Sequence, residues 1–176
     1  MPLDRLVFID ESCAKTNMTR LRGRARHGQR LYDHAPGGRW ETTTMLGSIR
    51  LDGQTACLVI EGATDSDVFR EYVRQVLGPT LRPGDIVICD NLGAHRDAEA
   101  QKLIEARGAR LVFLPAYSPD LNPIENMWAK VKANLRQAKA RTQETLLVAI
   151  QEALDSVSAK DAQGFFRHCG YMCTIY

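Results

Sequence analysis

Three acidic residues stand where apolar runs give way to turn or helix-start chemistry. Asp10 follows Leu6 to Ile9, Asp90 follows Ile86 to Cys89, and Glu125 comes two residues after Pro123, at the mouth of a helix. Carboxylates that converge in one cleft repel each other unless cations neutralise them. Hard oxygen ligands with room for water and phosphate suit magnesium, with manganese as a substitute. Two such ions about 3.5–4 Å apart would stabilise both the attacking and the leaving oxygen of an in-line phosphoryl displacement. The expected chemistry is metal-assisted cleavage or transfer of a DNA strand.

Glu125 also carries a second reading. Asn122 as N-cap with Glu125 three residues on is a capping-box pattern, and the helix dipole favours an acid there. Ile124, Met127, Trp128, Val131 and Leu135 recur at spacings of three and four, so one face of this helix packs on a core. Lys132 and Arg136 return close to the azimuth of Glu125, which sets two cations beside the acid along one side of the helix. They are candidate DNA contacts. Asn91 and His95, just after Asp90, and Asn122 are read as supporting residues.

The elements that must position these groups follow in order. Leu6 to Ile9 reads as a central strand buried on both faces, its carboxylates arriving where the strand runs out. Arg20, Arg22, Arg24 and Arg26 are spaced by two, so in an extended strand all four would point from one face toward phosphates. Thr42 to Leu51 and Gln54 to Ile60 form a hairpin around Asp52-Gly53. Thr64 caps a helix reaching Leu77, and Ile86 to Cys89 is a second buried strand. A helix then runs to about Arg107, stopped by Gly108. Leu111 to Leu114 is a buried strand, Pro115 to Asn122 is turn chemistry, and helices follow from Pro123, Thr142 and Ala162. An antiparallel meander feeding strand-helix units makes an α/β fold. A right-handed crossover through helix 64–77 sets the strand of Val87 parallel to the first, so Asp10 and Asp90 reach the same sheet edge.

The 176 residues are enough for one domain with a full core. The chain opens on charges with no apolar run of spanning length, which fits a cytosolic protein without a signal peptide or membrane segment. Five scattered cysteines fit a reducing compartment. Residues 20–50 hold seven Arg against Asp33 and Glu41, and residues 127–145 hold five Lys and Arg against Glu144. Two basic segments on an otherwise acidic chain suggest a local polyanion-binding surface.

Three stretches resemble a known family: Phe8-Ile9-Asp10-Glu11-Ser12, the run from Asp85 through Asp90-Asn91 to His95, and Leu114-Pro115-Ala116-Tyr117-Ser118-Pro119-Asp120-Leu121-Asn122-Pro123-Ile124-Glu125. They are similar to the catalytic domain of DDE transposases, in the bacterial insertion-sequence branch related to mariner elements. The 34 residues between Asp90 and Glu125 match the spacing of that branch. The resemblance implies an RNase H-like fold with a mixed five-stranded sheet flanked by helices. It also implies Asp10, Asp90 and Glu125 as catalytic metal ligands, transposon-end and target DNA as partners, a homodimer in the active complex, and insertion at TA dinucleotides.

Relatives carry helix-turn-helix modules before this domain, whereas nine residues precede Asp10 here, so residues 1–176 are expected to be the catalytic domain alone. A frameshift partner, a separately encoded catalytic half and a decayed remnant remain open as origins. Open too are a non-transposing RNase H-like endonuclease and an inactive DNA-binding derivative. A phospho-accepting receiver domain would need regular strand-helix alternation from the start, which the 42–60 hairpin breaks.

Overall fold

The computed structural model describes residues 2–171. Five strands, β1 (Leu6–Lys15), β2 (Thr42–Arg50), β3 (Thr55–Glu61), β4 (Ile86–Cys89) and β5 (Arg110–Phe113), form one sheet in the order β3-β2-β1-β4-β5. β1, β2 and β3 pair antiparallel, and β4 and β5 pair parallel to β1 and β4. The mixed sheet predicted from the element order is therefore present. Helices cover both faces: α1 (Ser66–Tyr72) and α2 (Ala98–Glu105) on one, α3 (Pro123–Ala138), α4 (Gln143–Asp155) and α5 (Ala159–His168) on the other. Among the described residues no helix is long and apolar enough to cross a membrane.

Alternation along β1 decides which face each residue serves. Leu6 and Phe8 belong to the core under α3–α5, where the Phe8 ring meets Phe166 edge-on at 5.3 Å, while Val7 and Ile9 belong to the core under α1 and α2. Asp10 therefore faces the α3 layer and Glu11 the opposite one. β1 does not run out at these acids. Its parallel pairing with β4 stops at Phe8↔Ile88, but antiparallel pairing with β2 continues to Lys15↔Thr42, because the longer partner satisfies its backbone.

Other expectations need correction. Residues 20–26 form no strand; the arginines lie on an irregular, exposed segment between β1 and β2. A single edge of β2 cannot pair with both β1 and a further strand, and β3 already occupies the other side. Asp65 rather than Thr64 caps α1, accepting the Val68 N–H at 2.9 Å. That helix continues as a wider turn over Val73–Leu77. β5 is not buried on both faces, since it is one of the sheet's two edge strands and Val112 and Phe113 stay partly exposed. The hairpin turns through Gly53, whose φ of +85° only glycine adopts at ease. A buried ion pair, Arg50 to Asp85 at 2.5 Å, ties the end of β2 to the start of β4, at the end of the sheet away from Asp10.

Candidate active site

Beyond the last β1–β4 pair the two strands diverge, and a cleft of about 430 Å³ opens there. Asp10, Asp90, Asn91, Leu92, the turn from Leu114 to Pro119, Asn122 and Glu125 line it. The three acids picked out in the sequence thus share one cavity, each delivered by a different element. Asp10 stands inside β1, Asp90 is the first residue past β4, and Glu125 is in the first turn of α3.

Their charges oppose one another. Burial and then the nearby Glu125 carboxylate push the Asp10 pKa up to about 7; a hydrogen bond from the Glu11 N–H opposes them, and the Glu11 and Asp90 charges add smaller upward pushes. The Glu125 carboxylate is exposed and makes no hydrogen bond or ion pair among the described residues. The capping box does not form: Asn122 makes no side-chain cap bond, and the Glu125 N–H goes to the Asn122 backbone carbonyl at 3.1 Å. Asn122 is buried, and its side-chain oxygen has no partner. A buried, unpaired acceptor is costly unless something else satisfies it.

Asp90 is braced from behind. Its Oδ1 accepts the Leu92 N–H at 3.1 Å and lies 2.7 Å from Nδ1 of His95, whose Nε2 lies 3.1 Å from Glu11. His95 is fully buried, its ring 4.7 Å from Phe69. Burial alone would lower its pKa; hydrogen bonds with the Cys89 sulfur and the Glu11 carboxylate, and the Glu11 charge, override this and raise it to about 11. An imidazolium can donate to both carboxylates at once. Asn91 turns outward instead, accepting from Nε of Arg96 at 2.9 Å.

A larger hollow of about 690 Å³ lies around Thr16, Arg39, Trp40, Glu41 and residues 141–144. Its Arg141 is spent on the backbone carbonyls of Thr16 and Met18, at 3.0 Å each, so this hollow is held together by structural bonds. The acidic cleft, in contrast, brings three carboxylates from three different elements into one cavity with room for a ligand.

A family model described as DDE superfamily endonuclease matches residues 5–147, a span that contains all three acids. The chain belongs to this family. The Tcb1 transposable-element transposase of Caenorhabditis briggsae is 26% identical over 102 residues, covering 56% of this chain and 37% of that protein. Mos1 transposase in a paired-end complex with the left transposon end superposes with a TM-score of 0.75 at 17% identity, over 94% of this chain and 52% of Mos1. The Mos1 paired-end complex with Mg gives 0.67 at 20% identity, over 96% and 52%. The isolated Mos1 catalytic domain gives 0.56 at 16%, over 96% and 76%. At such identities these structures speak for the fold. The chain spans about half the length of the Mos1 protein in the first two, and less of Tcb1.

Within this DDE family member, the basic residues are less concentrated than the acids. Arg20, Arg22, Arg24 and Arg26 are exposed and make no ion pair among the described residues, while Lys132 and Arg136 are half-buried along α3. Sequence reasoning missed Glu11 as the partner of His95, although the parity of β1 signals that it must face away from Asp10. It also missed Gly47, which pairs directly with Asp10, and Tyr117, fully exposed at the cleft rim with φ +57°. No local pattern marks either of the last two.

Proposed function

We propose that this chain is the catalytic unit of a transposase that cleaves and joins DNA strands, with Asp10, Asp90 and Glu125 as the ligands of two divalent cations, Mg²⁺ with Mn²⁺ as a substitute. The observation that carries the reading is the convergence of three acids in one cleft, where burial first and then the Glu125 charge keep Asp10 protonated up to about pH 7 unless a cation relieves it. The donor set fits such ions. It offers hard oxygens from Asp10, Asp90 and Glu125, with the unpartnered oxygen of Asn122 nearby. Among the described residues no three acidic, His or Cys side chains already close into a metal cage, so the acids line the cleft apart. Mos1 structures described with Mg and with Mn support the choice of metals.

Bound there, the ions would activate a water or strand-end hydroxyl and neutralise charge on the phosphate. The protein's own part is positional. His95 and Glu11 hold the Asp90 carboxylate from the side away from the cleft, Asn122 offers an acceptor to a bound water or hydroxyl, and α3 presents Glu125. Mos1 is described in paired-end and strand-transfer complexes, which supports transposon ends and target DNA as substrates here. The family resemblance of the sequence motifs adds to this proposal a homodimeric complex in the cytoplasm, a helix-turn-helix part for end recognition, and TA as target.

Two experiments test this. Pre-cut transposon-end DNA incubated with the chain and Mg²⁺ is expected to become joined to a target plasmid. Nicking without any joined product would reassign the chain as a plain endonuclease. The second concerns DNA contact. Changing Arg20, Arg22, Arg24 and Arg26 together to Ala is expected to weaken binding to all duplexes alike, by about 10²-fold near physiological salt, and to flatten the log-log salt dependence by about 4. Lys132→Ala and Arg136→Ala should each flatten it by about 1. Thermal stability should barely move for the arginine variant, since its side chains have no partners to lose. Unchanged salt slopes would show these residues to be solvated surface only.

A further inference from the structure

Gly47 sits in the middle of β2, with no turn or positive φ to explain a glycine. Its position is explained by what lies across from it. It is the direct register partner of Asp10, and opposite residues of an antiparallel pair project to the same face. Over the bare Gly47 backbone lies the indole of Trp128. A Cβ at position 47 would fall 2.8 Å from Cη2 and 3.0 Å from Cζ2 of that ring. Trp128 is one of the largest fully buried side chains, so it cannot swing aside. The displacement would pass to α3 itself.

Glu125 is one turn before Trp128 on the same helix, and residues three apart share a side. The strand pair that presents Asp10 and the helix that presents Glu125 are thus spaced by one contact, a flat ring against a residue without a side chain. The ring comes at a cost, because the buried Trp128 Nε1–H has no partner. A phenylalanine would avoid that unpaired donor, so hydrogen bonding does not account for the indole. We propose that Gly47 is a positioning residue: by seating the Trp128 ring it fixes how closely Glu125 approaches Asp10, and so tunes divalent-cation binding and turnover. The inference rests on the reading that these two acids hold the metal together.

Four proteins decide it: the parent, Gly47→Ala, Trp128→Phe and the double variant. Each is measured by Mg²⁺-dependent plasmid nicking and, separately, by the Mg²⁺ concentration giving half-maximal thermal stabilisation. Gly47→Ala is expected to lower kcat by about 10–10²-fold, the scale of a misplacement near 1 Å, with KM for DNA nearly unchanged. Its half-stabilising Mg²⁺ concentration should rise by a similar factor. Trp128→Phe should weaken both more mildly, through a looser α3. The double variant should outperform both singles, because the Ala methyl refills the space that Cη2 and Cζ2 vacate.

Parental Mg²⁺ affinity and kcat in Gly47→Ala would overturn the proposal. So would a double variant no better than the worse single. If Gly47→Ala does not fold, Trp128→Phe decides: weakened Mg²⁺ affinity in a folded protein supports the proposal, and parental affinity with parental kcat overturns it. If none of the four nicks DNA, the catalytic reading fails by itself, while the Mg²⁺ half-stabilisation values still judge the role of Gly47.

Discussion

Glu125→Gln is expected to abolish Mg²⁺-dependent nicking, by about 10³-fold or more, while the melting temperature stays within about 2 °C of the parent. The loss corresponds to about 4 kcal/mol of transition-state stabilisation. The structural cost is small for reasons visible at the helix start. The Glu125 carboxylate is exposed, bonds to no other group among the described residues and takes no part in capping, so the swap relieves its repulsion of Asp10 and loses only its interaction with the helix dipole. That is worth about 0.3–1 kcal/mol, and glutamine keeps the side chain's size. Asp90→Asn should lose activity similarly but cost more stability, because His95 and the Leu92 N–H both hold its carboxylate. Parental nicking by Glu125→Gln, measured as the rate of supercoiled plasmid relaxation beside a thermal melt, would remove Glu125 from the site and leave Asp120 as the next acid to try.

The second large effect is a pH dependence that Asp10 imposes on the metal-free protein. Its folded pKa of about 7 lies above the ordinary value of 3.8, so the folded state binds this proton more tightly than the unfolded chain does. The associated stability is complete below pH 3.8 and is lost as pH rises toward 7. A shift of this size corresponds to at most about 4 kcal/mol, or roughly 8–15 °C for a chain of this length. His95 contributes in the same direction but in a higher window, from its ordinary 6.5 up to about 11, so comparison between pH 4 and 6.5 isolates Asp10. The melting temperature of Asp10→Asn minus that of the parent, in EDTA, is expected to rise across that window and stay high at pH 8. Saturating Mg²⁺ at pH 8 should recover the parent by mass action and leave Asp10→Asn nearly unmoved. A constant difference across pH would mean that neither burial nor the neighbouring acids raise the pKa of Asp10.

Much of this arrangement was legible in the residues because it depends on local pattern. Apolar runs followed by acids placed Asp10 on one strand and Asp90 just past its parallel neighbour, the Asp52-Gly53 turn gave the antiparallel hairpin, and the spacing from Ile124 to Leu135 gave the buried face of α3. What stayed hidden depends on pairing at a distance. The extent of β1 past Asp10 is set by β2, some thirty residues later in the chain, and the partial exposure of β5 follows from its place at the edge. The arginine ladder had a strand's spacing but pairs with no strand of the sheet, so its periodicity carried no structure. The Asn122-Glu125 pattern had the residues of a capping box, yet Asn122 is drawn to the cleft. Gly47 was silent, since the meaning of a missing side chain appears only when the ring that replaces it is seen.

The central claim is that three acids in one cleft bind divalent cations in order to cut DNA. A Mg²⁺ titration of the parent chain, following plasmid nicking and thermal stabilisation in the same samples, tests it most directly. Both signals are predicted to rise from zero in EDTA with a common midpoint, and both to be missing from Asp10→Asn. Nicking that persists in EDTA at the rate seen with saturating Mg²⁺ would contradict it.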